Sequence, residues 1–177
     1  MRSRYKVIDK EGIYFVTSST LDWIPIFNEE NYIEILIEAF KFYQKTKKLK
    51  VYSYVILDNH FHLIVSAPDL SNVMRSLKRY TASKIIAELK QQAKTEILDK
   101  LHNNKKGYKL QSSYQLWQEG FHPQLISNLI IMRQKIDYIH NNPVRRKLVD
   151  DCCDWKYSSA ADYYEKGKGL IEIEIVY

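Results

Sequence analysis

Apolar residues recur along this chain with two periods, one of two residues and one of about 3.6, which distinguish strands from helices. Segments rich in β-branched and aromatic residues predict three strands, at residues 13–17, 51–57 and 60–66. Asp58 and Asn59 alone separate the last two strands, and these turn-forming residues predict a β-hairpin. A fourth strand region is expected at residues 114–126, interrupted by Gly120 and Pro123.

Apolar residues at helical spacing predict three longer helices. The first follows acidic residues at 29–30 and runs to about residue 45, and the second begins after Asp69. Ser127 or Asn128 caps the third helix, which runs to about residue 141 and ends near Pro143. Shorter helices are expected at residues 95–102 and 154–164, and a short edge strand or a tail at residues 170–177.

The order of these elements is β-α-β-β-α-β-α. Two βαβ-type halves around a central hairpin predict an α+β, ferredoxin-like (βαββαβ) antiparallel sheet with helices on one face, plus a C-terminal helix that carries Tyr138. The chain has no internal repeat and no break in composition, so residues 1–177 are interpreted as one domain. Within it, residues of about 90–113 form a lysine-rich insertion and those of about 165–177 a C-terminal tail.

Charge and cysteine content narrow the class of protein. The formal net charge of +6 favours a polyanionic partner, nucleic acid first. The two cysteines, Cys152 and Cys153, are adjacent and provide no disulfide framework, which favours a reducing compartment. Residues 1–12 lack the apolar core of a signal peptide, and no apolar run is long enough to span a bilayer. We therefore expect a cytoplasmic protein with no membrane partner.

Two histidines in the third predicted strand are the first candidates for chemistry. His60 and His62 flank Phe61, and residues two apart in a strand share a face. Paired imidazoles can hold one divalent metal ion. The alternative is that both histidines are polar residues on a solvated sheet face.

The third predicted helix offers partners for this pair. Tyr138 lies nearly opposite the apolar stripe, and Asn142 follows four residues later, although Pro143 disfavours helical geometry at Asn142. The apolar stripe consists of Leu129, Met132, Ile136 and Ile139. A tyrosine oxygen can take a phosphoryl group covalently, and a metal ion on the histidines and the Asn142 oxygen would polarise a phosphodiester. Nitrogen and oxygen ligands suit Mg²⁺ or Mn²⁺. The alternative for Tyr138 is an ordinary surface tyrosine, and the alternative for Asn142 is a helix-ending residue before proline.

Four short motifs resemble a known family. Residues 59–63 (NHFHL) resemble the HUH motif, and residues 138–145 (YIHNNPVR) resemble the tyrosine helix of single-tyrosine HUH transposases. Residues 14–17 (YFVT) and 155–159 (WKYSS) are similar to the REP-associated tyrosine transposase branch of these enzymes. The resemblance extends over most of the chain.

This resemblance implies a ferredoxin-like fold and a metal-dependent activity that nicks and joins single-stranded DNA, with hairpin-forming repeats as the expected substrate. By position, His60 and His62 would bind Mg²⁺ or Mn²⁺, Tyr138 would form a 5′-phosphotyrosine, and Asn142 would supply a metal-binding amide. One departure is Leu57-Asp58, where the family usually has Met-Pro. The resemblance leaves open whether the protein is a monomer or a homodimer.

Basic residues add candidate DNA contacts, and for the four on the second predicted helix a solvated surface is an equal alternative. The candidates are Arg75, Lys78, Arg79, Lys84, Arg145 and Arg146. A second function remains open, a non-catalytic nucleic-acid-binding module on a ferredoxin-like sheet. That module predicts exposed aromatic residues on the central strands, with Tyr52, Tyr54 and Phe61 as candidates. A third possibility is a domesticated relative that binds hairpins without cutting them.

Overall fold

Four strands form one antiparallel sheet in the computed structural model, which describes residues 6–108 and 111–176. The strands are β1 (Tyr14–Ser19), β2 (Lys50–Ile56), β3 (His60–Ser66) and β4 (Gln124–Leu125), in the order β2-β3-β1-β4. This order confirms the predicted α+β, ferredoxin-like arrangement. The parts of the predicted domain, insertion and tail at residues 1–5, 109–110 and 177 lie outside the described residues.

The predicted hairpin joins β2 to β3. The backbone N–H of Leu57 donates to the carbonyl of His60 at 2.9 Å, which closes the loop around Asp58 and Asn59. The register of β2 shifts between Val51 and Ser53, as expected for a β-bulge. Because of this shift, Val51 and Tyr54, which are three residues apart, contribute to the same hydrophobic core.

Six helices complete the described fold. They are α1 (Glu30–Lys47), α2 (Leu70–Gln91), α3 (Thr95–Asn103), α4 (Leu129–His140), α5 (Asn142–Arg145) and α6 (Ala160–Tyr163). Asp69 caps α2 by accepting from the N–H of Asn72, and Asn128, rather than Ser127, caps α4 by accepting from the N–H of Ile131. In the described parts of the chain, none of these helices combines the length and the apolar character needed to cross a membrane.

Helices cover both faces of the sheet, so the residues that the structure describes form two hydrophobic cores, one on each face. The α1 and α2 side contains Phe61 from β3 and Phe40 from α1, whose rings lie 5.4 Å apart. The opposite side contains Phe15 and Ile64 from the sheet, and α4 packs over them. Its residues from α4 are Met132, Ile136 and Ile139. The C-terminal helix that carries Tyr138 therefore lies across the sheet from α1 and α2.

The fourth predicted strand is mostly irregular. The N–H of Gln118 donates to the carbonyl of Ser19 at 2.9 Å, and the N–H of Thr17 donates to the carbonyl of Phe121 at 3.0 Å. Regular pairing with β1 is limited to the two residues of β4. Positive φ angles of 74° at Gly120 and 45° at His122 twist the chain away from the ladder before it can pair continuously.

The C-terminal region departs most from the prediction. In place of one helix at residues 154–164, a short 3-10 helix (Cys152–Asp154) and α6 flank a turn at Lys156 and Tyr157 and a single β-bridge from Ser158 to Val55. The carbonyl of Tyr157 accepts from the N–H of Ile56 at 2.9 Å, so this segment covers the free edge of β2. Residues 170–176 form a tail rather than a strand.

Candidate active site

The two histidines lie side by side at the start of β3. His60 is opposite Ser19 and His62 is opposite Thr17 in the antiparallel pairing with β1. The centroids of the two imidazole rings are 4.8 Å apart. Phe61, between them, points into the core on the other face. Strand alternation therefore brings the two imidazoles together.

A hydrogen bond to Nδ1 fixes each imidazole. Thr17 Oγ1 lies 2.8 Å from His62 Nδ1, and Asn59 Oδ1 lies 2.6 Å from His60 Nδ1. His62 Nε2 is buried and has no hydrogen-bond partner among the residues that the structure describes. When Nδ1 carries the proton, Nε2 presents its lone pair, and this is the arrangement in which outer hydrogen bonds orient metal-binding histidines.

Burial keeps both histidines in the neutral form. The pKa of His60 is lowered to about 4, mainly by desolvation and then by the nearby charge of Arg146, whereas Asp58 opposes the shift. Desolvation lowers the pKa of His62 to about 3, with further contributions from His60 and Lys135. Neutral imidazole is the form that binds a metal ion, so both side chains are ready to act as ligands at neutral pH.

Tyr138 completes the cluster from α4. Its ring lies 5.3 Å from the ring of His62 and 5.9 Å from that of Phe15, and its side chain is 36% exposed. We expected the whole apolar stripe of this helix to pack against the sheet or its neighbours; Met132, Ile136 and Ile139 are buried, but the prediction is wrong at Leu129, which is 58% exposed. The first three residues of α4 lie outside both cores, so helical spacing alone predicts too long a buried face.

Two cations lie beside this cluster. The guanidinium of Arg145 is 5.5 Å from the centroid of the Tyr138 ring, and Lys135 Nζ is 4.4 Å from that of Phe15. Lys135 also donates to Gln124 Oε1 at 3.0 Å. Positive charge beside an exposed phenol favours the approach of a phosphate group. Lys135 was detectable from sequence, because it precedes Tyr138 by three residues on a helix.

Asn142 lies at the beginning of α5 and is buried, with 8% of its surface exposed. Asn141, which joins α4 to α5, keeps near-helical angles (φ −81°, ψ −1°), and Pro143 fits the first turn of α5. In the described parts of the chain, no hydrogen bond connects the Asn142 side chain to either histidine. The structure thus brings His60, His62 and Tyr138 into contact and places Asn142 one helical turn further along.

The basic residues predicted to contact DNA do not form one surface. Arg75, Lys78 and Arg79 line a groove of about 1100 Å³ between α2 and residues 111–121. Lys84 lies over the ring of Tyr80, 5.9 Å from its centroid.

Arg146 is engaged within the protein. Its guanidinium contacts both carboxylate oxygens of Asp58, at 2.6 and 3.0 Å. This pair connects the segment after α5 to the turn that precedes His60. The arginine therefore supports the hairpin turn in this structure, whereas Arg145 faces Tyr138.

A second group with metal-binding atoms, which does not include the histidines, occurs in the part of the chain that the structure describes. It contains Asp151, Cys152 and Cys153, whose candidate ligand atoms lie within 4.8 Å of one another. The Asp151 carboxylate already contacts Lys166 Nζ at 2.7 Å and accepts from the N–H of Cys153. These contacts give the carboxylate a structural role.

Comparisons with known proteins agree with the motifs. The family described as Transposase IS200 like matches residues 17–142, more than half of the chain. A Haemophilus influenzae protein assigned by inference to the REP-associated tyrosine transposases is 25% identical over 150 residues, which cover 85% of this chain and 80% of that protein. A solved REP-associated tyrosine transposase bound to a REP hairpin has a TM-score of 0.66 at 20% identity, covering 98% of this chain and 92% of that one. The resemblance identified from the motifs is therefore confirmed, and the chain belongs to the IS200-like transposase family.

Proposed function

We propose that this transposase cuts and rejoins single-stranded DNA with Tyr138 as its nucleophile and a divalent metal ion held by His60, His62 and Asn142. The main support is the unpartnered, buried Nε2 of His62, which belongs to an imidazole in ring contact with both His60 and Tyr138. An orphan acceptor of this kind is costly in a folded protein, so it favours a ligand-binding role.

The residues present suit a divalent ion. Two neutral imidazoles with anchored Nδ1 atoms offer nitrogen ligands, and the Asn142 amide offers an oxygen. Mn²⁺ matches this mixed set well, and Mg²⁺ fits if water supplies the remaining ligands. When bound, the ion would neutralise charge on the scissile phosphate.

The protein's own groups would carry the transfer. Tyr138 Oη attacks the phosphorus, forming a tyrosyl O–P bond while the P–O3′ bond breaks. The phenol proton passes to solvent, which the half-exposed side chain can reach, and the departing 3′-oxygen takes up a proton. Attack of a 3′-hydroxyl on the 5′-phosphotyrosine reverses these steps and joins strands. Arg145, beside the phenol ring, would stabilise charge on the phosphate.

Hairpin-forming DNA is the proposed substrate. A REP-associated relative with the same fold has been solved on a REP hairpin. The net charge of +6 and the Arg75 and Arg79 side chains along the α2 groove suit a nucleic-acid backbone.

The burial of the sheet argues against a purely non-catalytic module. Such a module needs exposed aromatic residues on the central strands, yet Tyr54 and Phe61 are fully buried and Tyr52 is only 9% exposed. Helices cover both faces, so bases have no open sheet surface on which to stack.

Covalent capture tests the proposal. The protein is incubated with single-stranded oligonucleotides that contain hairpins, with Mn²⁺ or with EDTA, and a denaturing gel separates the adduct. We expect a shifted band with Mn²⁺ that disappears in EDTA, in Tyr138→Phe and in His60→Ala. Tyr80→Phe, an exposed tyrosine on α2, is the matched control and should retain the band. An adduct that persists in Tyr138→Phe would contradict the assignment.

A further inference from the structure

Trp23 is an exposed tryptophan beside the histidine pair. Its side chain is 54% exposed, although tryptophan is highly buried on average. Its ring centroid lies 5.7 Å from that of His60, with the two ring planes at 82°. The indole therefore presents apolar surface to solvent at the edge of the proposed active site.

The backbone at this position is strained. Asp22 and Trp23 have φ angles of 47° and 57°, in the left-handed region that L-residues rarely adopt. A bulky residue at positive φ is an outlier, and such conformations persist only where the surroundings impose them. Two successive residues of this kind next to His60 indicate a loop shaped for a purpose other than folding.

A compact set of hydrogen bonds imposes this shape. Thr20 Oγ1 donates to the carbonyl of Ile24 at 2.7 Å, and the Thr20 N–H donates to the carbonyl of Asn59 at 2.8 Å. Asn59 Nδ2 donates to the carbonyl of Trp23 at 3.2 Å, while its Oδ1 accepts from His60 Nδ1 at 2.6 Å. One amide thus holds both the tryptophan backbone and the imidazole, which fixes the indole relative to His60 before DNA binds.

We infer that Trp23 is a base-stacking platform, which takes an unpaired nucleobase of the single strand next to the phosphodiester that Tyr138 attacks. This inference rests on the proposed function and adds a subsite to it. Stacking on an aromatic face tolerates every base, so Trp23 supplies affinity and positioning rather than sequence choice. A preorganised ring loses little conformational freedom when the base binds.

Fluorescence of 2-aminopurine tests the subsite. Unstructured single-stranded oligonucleotides carry the probe at successive positions and are titrated with Tyr138→Phe protein, which prevents cleavage. We expect Tyr138→Phe protein to quench the probe at one or two adjacent positions. A second substitution in the same protein, Trp23→Ala, should abolish that quenching. The dissociation constant should rise about 5- to 150-fold, as expected for one stacked base. Trp23→Phe should retain most of both signals, because it keeps an aromatic face.

Controls separate this subsite from other roles. Phe42→Ala removes an equally exposed aromatic residue from α1 and should change neither quenching nor affinity. The Mn²⁺ affinity and the melting temperature of Trp23→Ala should match those of the parent protein. Unchanged quenching, or a loss of Mn²⁺ affinity in its place, would overturn the stacking role. A different result separates the two proposals. If Tyr138→Phe protein quenches the probe through Trp23 but the wild-type protein forms no covalent adduct, the nicking proposal fails while Trp23 remains a base-stacking site.

Discussion

The hydrogen bond between Thr17 and His62 gives a sharp test of how the site is organised. Thr17→Val keeps the shape of the side chain but removes Oγ1, which lies 2.8 Å from His62 Nδ1. The imidazole would then lose the partner that fixes its tautomer and its orientation. Removing an outer-shell partner typically weakens metal binding about 10- to 100-fold, which corresponds to about 1.4–2.8 kcal/mol.

Calorimetric titration with Mn²⁺ at neutral pH measures this effect. Thr46→Val is the matched control, since Thr46 Oγ1 donates to a backbone carbonyl on the exposed side of α1. The control should bind Mn²⁺ like wild type, whereas Thr17→Val should bind it at least tenfold more weakly. Because His62 is only 5% exposed, Thr17→Val should also lower the free energy of unfolding by about 1–3 kcal/mol. Equal Mn²⁺ affinity in Thr17→Val and wild type would refute the proposed role of this hydrogen bond.

Three further predictions address the rest of the site and the surface. Replacing both Arg75 and Arg79 by Ala should reduce the slope of log affinity against log salt concentration for hairpin binding by about 2. Lys41→Ala on α1 is the control and should leave this slope unchanged. An unchanged slope in the double variant would exclude the α2 groove as a phosphate contact. Asn142→Ala should weaken Mn²⁺ binding and slow adduct formation at limiting Mn²⁺, and wild-type behaviour in both assays would remove it from the ligand set. Burial lowers the pKa of His140 to about 4, below its usual value of 6.5, so its contribution to stability is present above pH 6.5 and is lost as the pH falls through 4. Urea unfolding in EDTA should therefore show a shallower pH dependence in His140→Gln than in wild type, and identical profiles would contradict this assignment.

The local pattern of the sequence was sufficient for most of the sheet and helices. The two-residue turn at Asp58 and Asn59 and the alternation through residues 60–66 predict the hairpin and the shared face of the histidines. Helical spacing predicts α4 and the position of Tyr138 outside its apolar stripe. Each of these features depends on residues close together in the sequence, and the spacing of apolar residues predicts such local structure directly.

Features set by distant partners were not predictable in this way. The segment around Tyr157 is not helical because it hydrogen-bonds to Ile56 on the edge of β2, about a hundred residues earlier in the chain. The fourth strand breaks where Gly120 and His122 adopt positive φ, which composition alone does not specify. In both segments the local sequence favours a regular helix or strand, and no nearby residue indicates the departure from it.

The supporting residues of the site were missed for the same reason. Thr17 contacts His62 across 45 positions, and Asn59 contacts the Trp23 backbone across 36. Only the paired strands and the hairpin turn bring these groups together. The chemistry-bearing residues stand out by type and spacing, whereas the residues that orient them are recognisable only in the fold.

Mass spectrometry of the covalent adduct tests the central proposal most directly. The adduct formed with a hairpin oligonucleotide and Mn²⁺ would be trimmed with nuclease, digested with protease and sequenced by fragmentation. The chain contains fourteen tyrosines, so the modified position is informative in itself. We expect the residual nucleotide on Tyr138, attached through its 5′-phosphate. A nucleotide on any other residue, or attached through a 3′-phosphate, would contradict the mechanism.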